Sequence, residues 1–226
     1  MAPIIQERVE LVAETGLASG AHNPNGAWCA MEAVAYIAGE KWSDHPECVC
    51  PVIGAFMRNW NDSLSNDERN QLITIDRLLK TVGTRGSDKL AERRSLMAAD
   101  WLVRTHTPAW LRLAGLTAQA DALSSLPEIT AMAQVPSIRE PLEAARRDAS
   151  AARAAAWAAA GAAAGDAAWA AAWAAAGAAA GDAAGDAAGD AAGAKLAPTK
   201  TELQASAGEL IERMCALTDD DLAKAA

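Results

Sequence analysis

Residues 22–61 carry most of the side chains that could do chemistry: His22, Asn23, Asn25, Trp28, Cys29, Glu32, Trp42, Asp44, His45, Arg58 and Asn61. Three chemistries fit these residue types. The first is binding of a small polar or nucleotide-like ligand: amides donate and accept, indole faces stack, and Arg58 grips an anion in a bidentate way. The second is nucleophilic catalysis. Cys29 at a helix N-terminus would attack, with His22 or His45 as base and Asp44 or Glu32 orienting that base. The third is a structural zinc site, with Cys29, Cys48 and Cys50 joined by His22 or His45 in a tetrahedral set. Cys48-Val49-Cys50 leaves one residue between its thiols, fewer than a zinc knuckle uses. Each reading competes with a plainer one, in which the cysteines are small apolar core residues and the asparagines satisfy loop backbone. The sequence favours ligand binding without catalysis and without a cofactor; zinc is the one cofactor its residues could hold.

The elements that must position these residues read as helices. Pro3 opens a first helix with Ile4, Ile5, Val9, Leu11 and Val12 near helical spacing. A loop from Gly16 to Gly26 leads to a helix from about Ala27 to Ala38, capped by Asn25 and stopped by Gly39. That helix places Cys29, Glu32 and Tyr36 on one face. A second polar loop, Glu40 to Cys50, precedes Pro51 at a first helical position. The two loops bracket the helix and form the expected site.

Further along, Ser65-Asn66-Asp67-Glu68 is a capping box for a helix through Leu79. Ser87 caps the next, with Leu90, Leu96, Met97, Trp101 and Leu102 on its apolar side. Thr107-Pro108 starts a short helix that ends at Gly115, and Thr117 caps another. Asp100 and Arg104 have the spacing of a helix-surface ion pair. Arg93-Arg94 reads as a solvated face, and Trp60 and Trp110 as core. No phosphate-binding glycine loop, metalloprotease helix or kinase signature is present.

From about Pro141 the composition changes. Arg153, Trp157, Gly161, Gly165, Trp169, Trp173, Gly177, Gly181, Gly185, Gly189 and Gly193 recur at intervals of four, with alanine filling most gaps. Each glycine costs a helix about 1 kcal/mol relative to alanine. A helix of this composition therefore calls for close packing against a partner, or is a solvated tandem repeat. Its apolar runs are broken by Asp166 and fall short of a membrane span. Pro198 ends the repeat, Thr199-Lys200-Thr201-Glu202 is a capping box for a helix through Leu217, and Thr218 caps a last turn.

Composition sets the outer bounds. The 226 residues hold eight Trp, one Phe and one Tyr, and alanine dominates, which favours helix over sheet. A formal net charge of −9 opposes general nucleic-acid binding. The N-terminus lacks a basic start followed by an apolar stretch, and four cysteines are few for a secreted scaffold, so the expected setting is cytoplasmic with reduced thiols.

The run His22-Asn23-Pro24-Asn25-Gly26-Ala27-Trp28-Cys29-Ala30-Met31-Glu32-Ala33, with the Trp42-Ser43-Asp44-His45-Pro46 loop, resembles a group of uncharacterised bacterial and bacteriophage proteins. The resemblance extends through Ala99–Arg104 and Pro108–Leu111, over about residues 1–130, and implies kinship but no activity.

The expected architecture is all-α. A compact multi-helix domain spans 1–135, a long Ala/Gly-rich repeat helix 136–196, and a closing C-terminal helix 197–226 that packs back. The expected function is a non-enzymatic binding protein that sequesters a small polar or nucleotide-like ligand in a bacterial or phage-infected cytoplasm. A structural module that homo-oligomerises through the repeat helix is the alternative, and a cysteine-dependent enzyme using Cys29 the third reading. Neither nucleic acid nor membrane is expected as a partner.

Overall fold

Helix signals along the chain become helices nearly everywhere they occur. The computed structural model describes residues 2–20, 28–152 and 177–225, by backbone alone over 177–193. Among these residues the protein is all-α, and its one β-type pairing is an isolated bridge between Leu17 and Trp28. The helices are α1 (Gln6–Thr15), α2 (Ala30–Ile37), α3 (Pro51–Ser63), α4 (Asn66–Leu72), α5 (Ile75–Thr81), α6 (Asp88–Trp101), α7 (Thr107–Leu113), α8 (Thr117–Ser124), α9 (residues 135–152), α10 (Gly177–Ala216) and α11 (Asp219–Ala225). No helix among the described residues is long and apolar enough to cross a membrane.

The chain divides into two units, residues 1–99 with 204–226, and residues 100–203. These bounds differ from the 1–135, 136–196 and 197–226 segments drawn from composition. In the first unit α2 is the central element. Ala30, Met31, Ala33, Val34, Ala35 and Ile37 are all buried, and α1, α3 and α5 pack around it. Ile53, Met57, Leu78, Leu210, Ile211 and Met214 complete this core. Each such side chain contributes about 1.5–3 kcal/mol by leaving water.

Two buried arginines close helix ends in this unit. Arg69 donates to the carbonyls of Asn61 (2.9 Å) and Leu64 (2.5 Å) at the C-terminus of α3, and to Asn66 Oδ1 (2.7 Å). Arg94 donates to the carbonyls of Met214 (2.8 Å) and Leu217 (2.8 Å) at the C-terminus of α10, and to that of Thr84. Helix C-termini expose unsatisfied carbonyls and partial negative charge, so a cation is stabilised there. Arg94 is therefore not on a solvated face, as its doublet with Arg93 suggests: it is 1% exposed. Trp60, expected in the core, is buried.

Several helix ends fall elsewhere than the sequence signals place them. The first helix begins at Gln6, because the Ile5 amide is taken by the carbonyl of Ile37 (3.0 Å). The Ser65 capping box forms, but the expected helix through Leu79 is two helices, since Thr74 accepts from the Arg77 amide and starts a new one. Leu116, not Thr117, is the N-cap of α8.

In the second unit, Leu102–His106 form a π-turn that carries α6 into α7 without the expected break. Pro108 lacks an amide, and its ring would collide with the carbonyl four residues earlier in a regular helix; a wider turn relieves this. His106 lies tilted against Trp101 (5.1 Å) and its Nε2 accepts from Trp110 Nε1 (3.2 Å). Trp110 is 36% exposed and so is not the core residue its type suggests. The expected Asp100–Arg104 pair forms (3.1 Å), and Asp100 Oδ1 also accepts from the Ile129 amide (2.8 Å).

α10 is one helix of 40 residues that contains Gly177, Gly181, Gly185, Gly189, Gly193, Gly208 and Pro198. The expected stop at Pro198 is absent. Six glycines and an internal proline oppose such a helix by about 1 and 3 kcal/mol each, respectively. Residues 153–176 of the repeat lie outside the described residues.

Candidate functional site

The residues singled out in the sequence fall into two places in the first unit. His22, Asn23 and Asn25 lie outside the described residues. The first place is the start of α2. Its N-cap is Cys29 rather than Asn25, and the Glu32 carboxylate reaches back to the Cys29 amide (2.7 Å). Asn61, fully buried on α3, accepts from the Ala30 amide (3.2 Å) and donates to the carbonyl of Ala18 (2.9 Å). Asn70 pairs with both backbone groups of Leu17. Amides here hold one chain segment against another, as buried polar groups must be satisfied.

Trp28 belongs to the same place and is 4% exposed. One face stacks on Tyr36 (5.0 Å) and Trp42 is tilted against it (6.5 Å). Its faces are used inside the protein, while its Nε1 is buried with no hydrogen-bond partner among the described residues. Cys29 is buried beside Glu32, and burial foremost pushes its thiol up to about 11. A protonated thiol is a poor nucleophile, so this environment works against attack by Cys29 at neutral pH. Burial likewise pushes Cys48, with Glu40 as neighbour, and Cys215 up to about 11.

The second place is a cleft of about 150 Å³ at the N-terminal end of α3. His45 and Arg58 line its wall, and Asp44 contacts both of them without itself lining the cleft. Pro46, Val49, Cys50, Pro51 and Gly54 supply the apolar remainder, and Arg85 reaches it from the turn before α6. Pro51 at the first helical position starts α3, as its spacing predicts. Glu40 shapes the loop: its carboxylate accepts from the amides of Glu47 (2.6 Å) and Cys48 (2.8 Å). Thr84 and Arg85 tie the opposite wall to it. The Cys50 amide donates to Thr84 Oγ1 (3.2 Å), and the Arg85 amide to the carbonyl of Cys48 (3.1 Å). Gly86, at φ +58°, lets the chain turn from this wall into α6.

Arg58 donates to the carbonyl of Asp44 (2.8 Å), and its Nε lies 3.8 Å from the Asp44 carboxylate. The other Asp44 oxygen is 2.6 Å from His45 Nδ1. Gly54 stands one turn before Arg58, and a Cβ there would touch the guanidinium at 3.4 Å, an ordinary van der Waals contact. Two guanidinium groups and an imidazole thus border a concave, mostly apolar hollow, a combination whose chemistry suits an anion. Cys29 is not among the residues of this cleft, so the expected Cys29–His45–Asp44 set is divided between two places. Among the described residues, no group of three His, Cys, Asp or Glu side chains is placed to hold a metal ion.

The residues that sequence reasoning passed over are Glu40, Thr84 and Arg85. Glu40 directly follows the glycine that ends α2, a position where a side chain can organise a loop. Arg85 is 35 residues from Cys50 in sequence and carried no local signal.

Compared with known proteins, the chain matches no family model, no curated protein and no solved structure. The resemblance around Cys29 therefore remains an expectation, and the site stands on its own geometry.

Proposed function

We propose that the protein binds a small anionic ligand, without turning it over, in the cleft bordered by His45, Arg58 and Arg85. The single observation that carries this reading is the convergence of two arginines from separate elements, α3 and the 82–87 turn, on one hollow. Ligand pockets of drug-sized molecules run to roughly 300–1,000 Å³. A hollow of about 150 Å³ suits a head group such as a phosphate or carboxylate, with the rest of the ligand outside it. This narrows the nucleotide-like ligand expected from the sequence to its charged end. Binding rather than catalysis is favoured because Cys29 and Cys48 are kept protonated. A cytoplasmic setting with reduced thiols fits the same reading.

Calorimetric titration of the full chain with orthophosphate and with adenosine 5′-monophosphate at low salt tests it. Saturable binding that Arg58→Gln weakens about tenfold is expected, since a charge-assisted hydrogen bond is worth roughly 1.5–3 kcal/mol. Absence of binding by both probes, or binding that Arg58→Gln and Arg85→Gln leave unchanged, refutes it.

A second reading rests on α10, which remains helical through six glycines and Pro198. Such a helix is most readily stabilised by a closely packed neighbour, which favours a homo-oligomer. Deleting 154–193 then converts the native mass from a multiple to a single copy; an unchanged mass rejects it.

A further inference from the structure

The cleft's anion grip contains its own competitor. We infer that the Asp44 carboxylate acts as an internal anion that occupies Arg58 when the cleft is empty, and so sets which ligand charge the cleft accepts. The inference rests on the anion-binding reading above.

Arg58 approaches Asp44 in two ways. Its Nη1 donates to the Asp44 main-chain carbonyl at 2.8 Å, which anchors the guanidinium whatever the side chain does. Its Nε is 3.8 Å from Asp44 Oδ2, within ion-pair range but beyond a normal hydrogen bond. The arginine is held firmly by the backbone and only loosely by the carboxylate. The Asp44 side chain is 43% exposed, and its other oxygen is 2.6 Å from His45 Nδ1, so it has a partner and water to turn to when Arg58 is taken. Arg58 itself is 23% exposed and lines the hollow. An incoming anion would therefore displace a weak contact and keep the anchored one.

The competitor also repels. A ligand oxygen seated on Arg58 lies near the Asp44 carboxylate, and like charges at such distances oppose each other. The repulsion grows with ligand charge, so Asp44 disfavours a dianion more than a monoanion. Asp44 is thus a specificity-determining residue of the cleft, acting through charge and not through contact.

Asp44→Asn removes the charge and keeps the shape and the Arg58–carbonyl bond. Orthophosphate at pH 8, where it is a dianion, is titrated into wild type, Asp44→Asn, and Asp67→Asn, which removes one surface charge on α4. Asp44→Asn is expected to tighten binding about three- to fivefold, the range of a part-exposed ion pair, and Asp67→Asn to leave it unchanged. Formate, a monoanion, gains less from Asp44→Asn than orthophosphate does. Equal tightening by Asp67→Asn, or binding by Asp44→Asn no tighter than wild type, overturns the inference and leaves the anion site standing. No orthophosphate binding by any of the three proteins overturns both. Far-UV circular dichroism checks that each variant is folded.

Discussion

Two pairs of arginines in the first unit have opposite employment. Arg69 and Arg94 are each 1% exposed, and their bonded partners are chiefly the main-chain carbonyls that end α3 and α10. Arg58 and Arg85 border a hollow open to water, one anchored by a carbonyl and near a carboxylate, the other with its side chain exposed. α3 joins the two situations, with the cleft at its first turn and Arg69 at its last. The difference teaches that a guanidinium is structural where its donors are all spent on the protein, and available for a ligand where they are not. Buried polar groups must be satisfied, and Arg69 and Arg94 satisfy the helix ends while being satisfied themselves.

The comparison breaks most visibly at the interior pair. Arg94→Met leaves the carbonyls of Thr84, Met214 and Leu217 without their donor. A loss of about 3 kcal/mol or more is expected in urea unfolding, from stranded buried acceptors. Arg69→Met should cost nearly as much, and a loss under about 1 kcal/mol for either would place these residues with the cleft pair. Next comes Arg58→Gln. It should weaken orthophosphate about tenfold while lowering stability by only about 1 kcal/mol, so binding and folding respond to different arginines.

A third effect concerns two thiols, Cys29, which is buried, and Cys215, which is partly so. Cys29 and Cys215 hold their protons to about 11, against an ordinary value near 9, chiefly through burial. The unfolded chain therefore releases these protons first as pH rises. The stabilisation is intact below about pH 9 and lost as pH rises through about 11. Melting temperature should hold level up to about pH 9 and fall above it, less so in Cys29→Ala. A level profile to pH 11 would mean that these thiols are not buried as described. The smallest effect is at Arg85, whose exposed side chain meets a ligand with most competition from water. Arg85→Gln should weaken orthophosphate about threefold, with no change in urea midpoint.

How much of this was legible in the sequence follows from the range of the interactions involved. Pro51, Ser65 and Ser87 mark helix starts because a cap acts within four residues, and all three are found where the sequence puts them. Asp44, His45 and Arg58 were legible as a group, being close in sequence. Arg85 was not, because the turn that carries it meets the cleft only through tertiary contacts with Cys48 and Cys50. Arg94 reads as surface from its neighbour Arg93, although it stands four residues after Leu90 and seven before Trp101, both buried. Its role needed the C-terminus of α10, more than a hundred residues away. Cys29 was legible as a helix-start residue, but not that Glu32 and burial would keep it a thiol. Pro198 signals a helix end locally, yet α10 continues through it, a case in which the surroundings outweigh a local preference of about 3 kcal/mol.

The measurement that tests the central claim most directly is an NMR titration of arginine side-chain Nε–H resonances with orthophosphate, assigned by the four arginine substitutions. The Arg58 and Arg85 signals should move together and saturate at one concentration, while those of Arg69 and Arg94 stay in place. Movement of Arg69 or Arg94 in step with the others, or no movement of Arg58 at saturating phosphate, would contradict the division between structural and ligand-facing arginines.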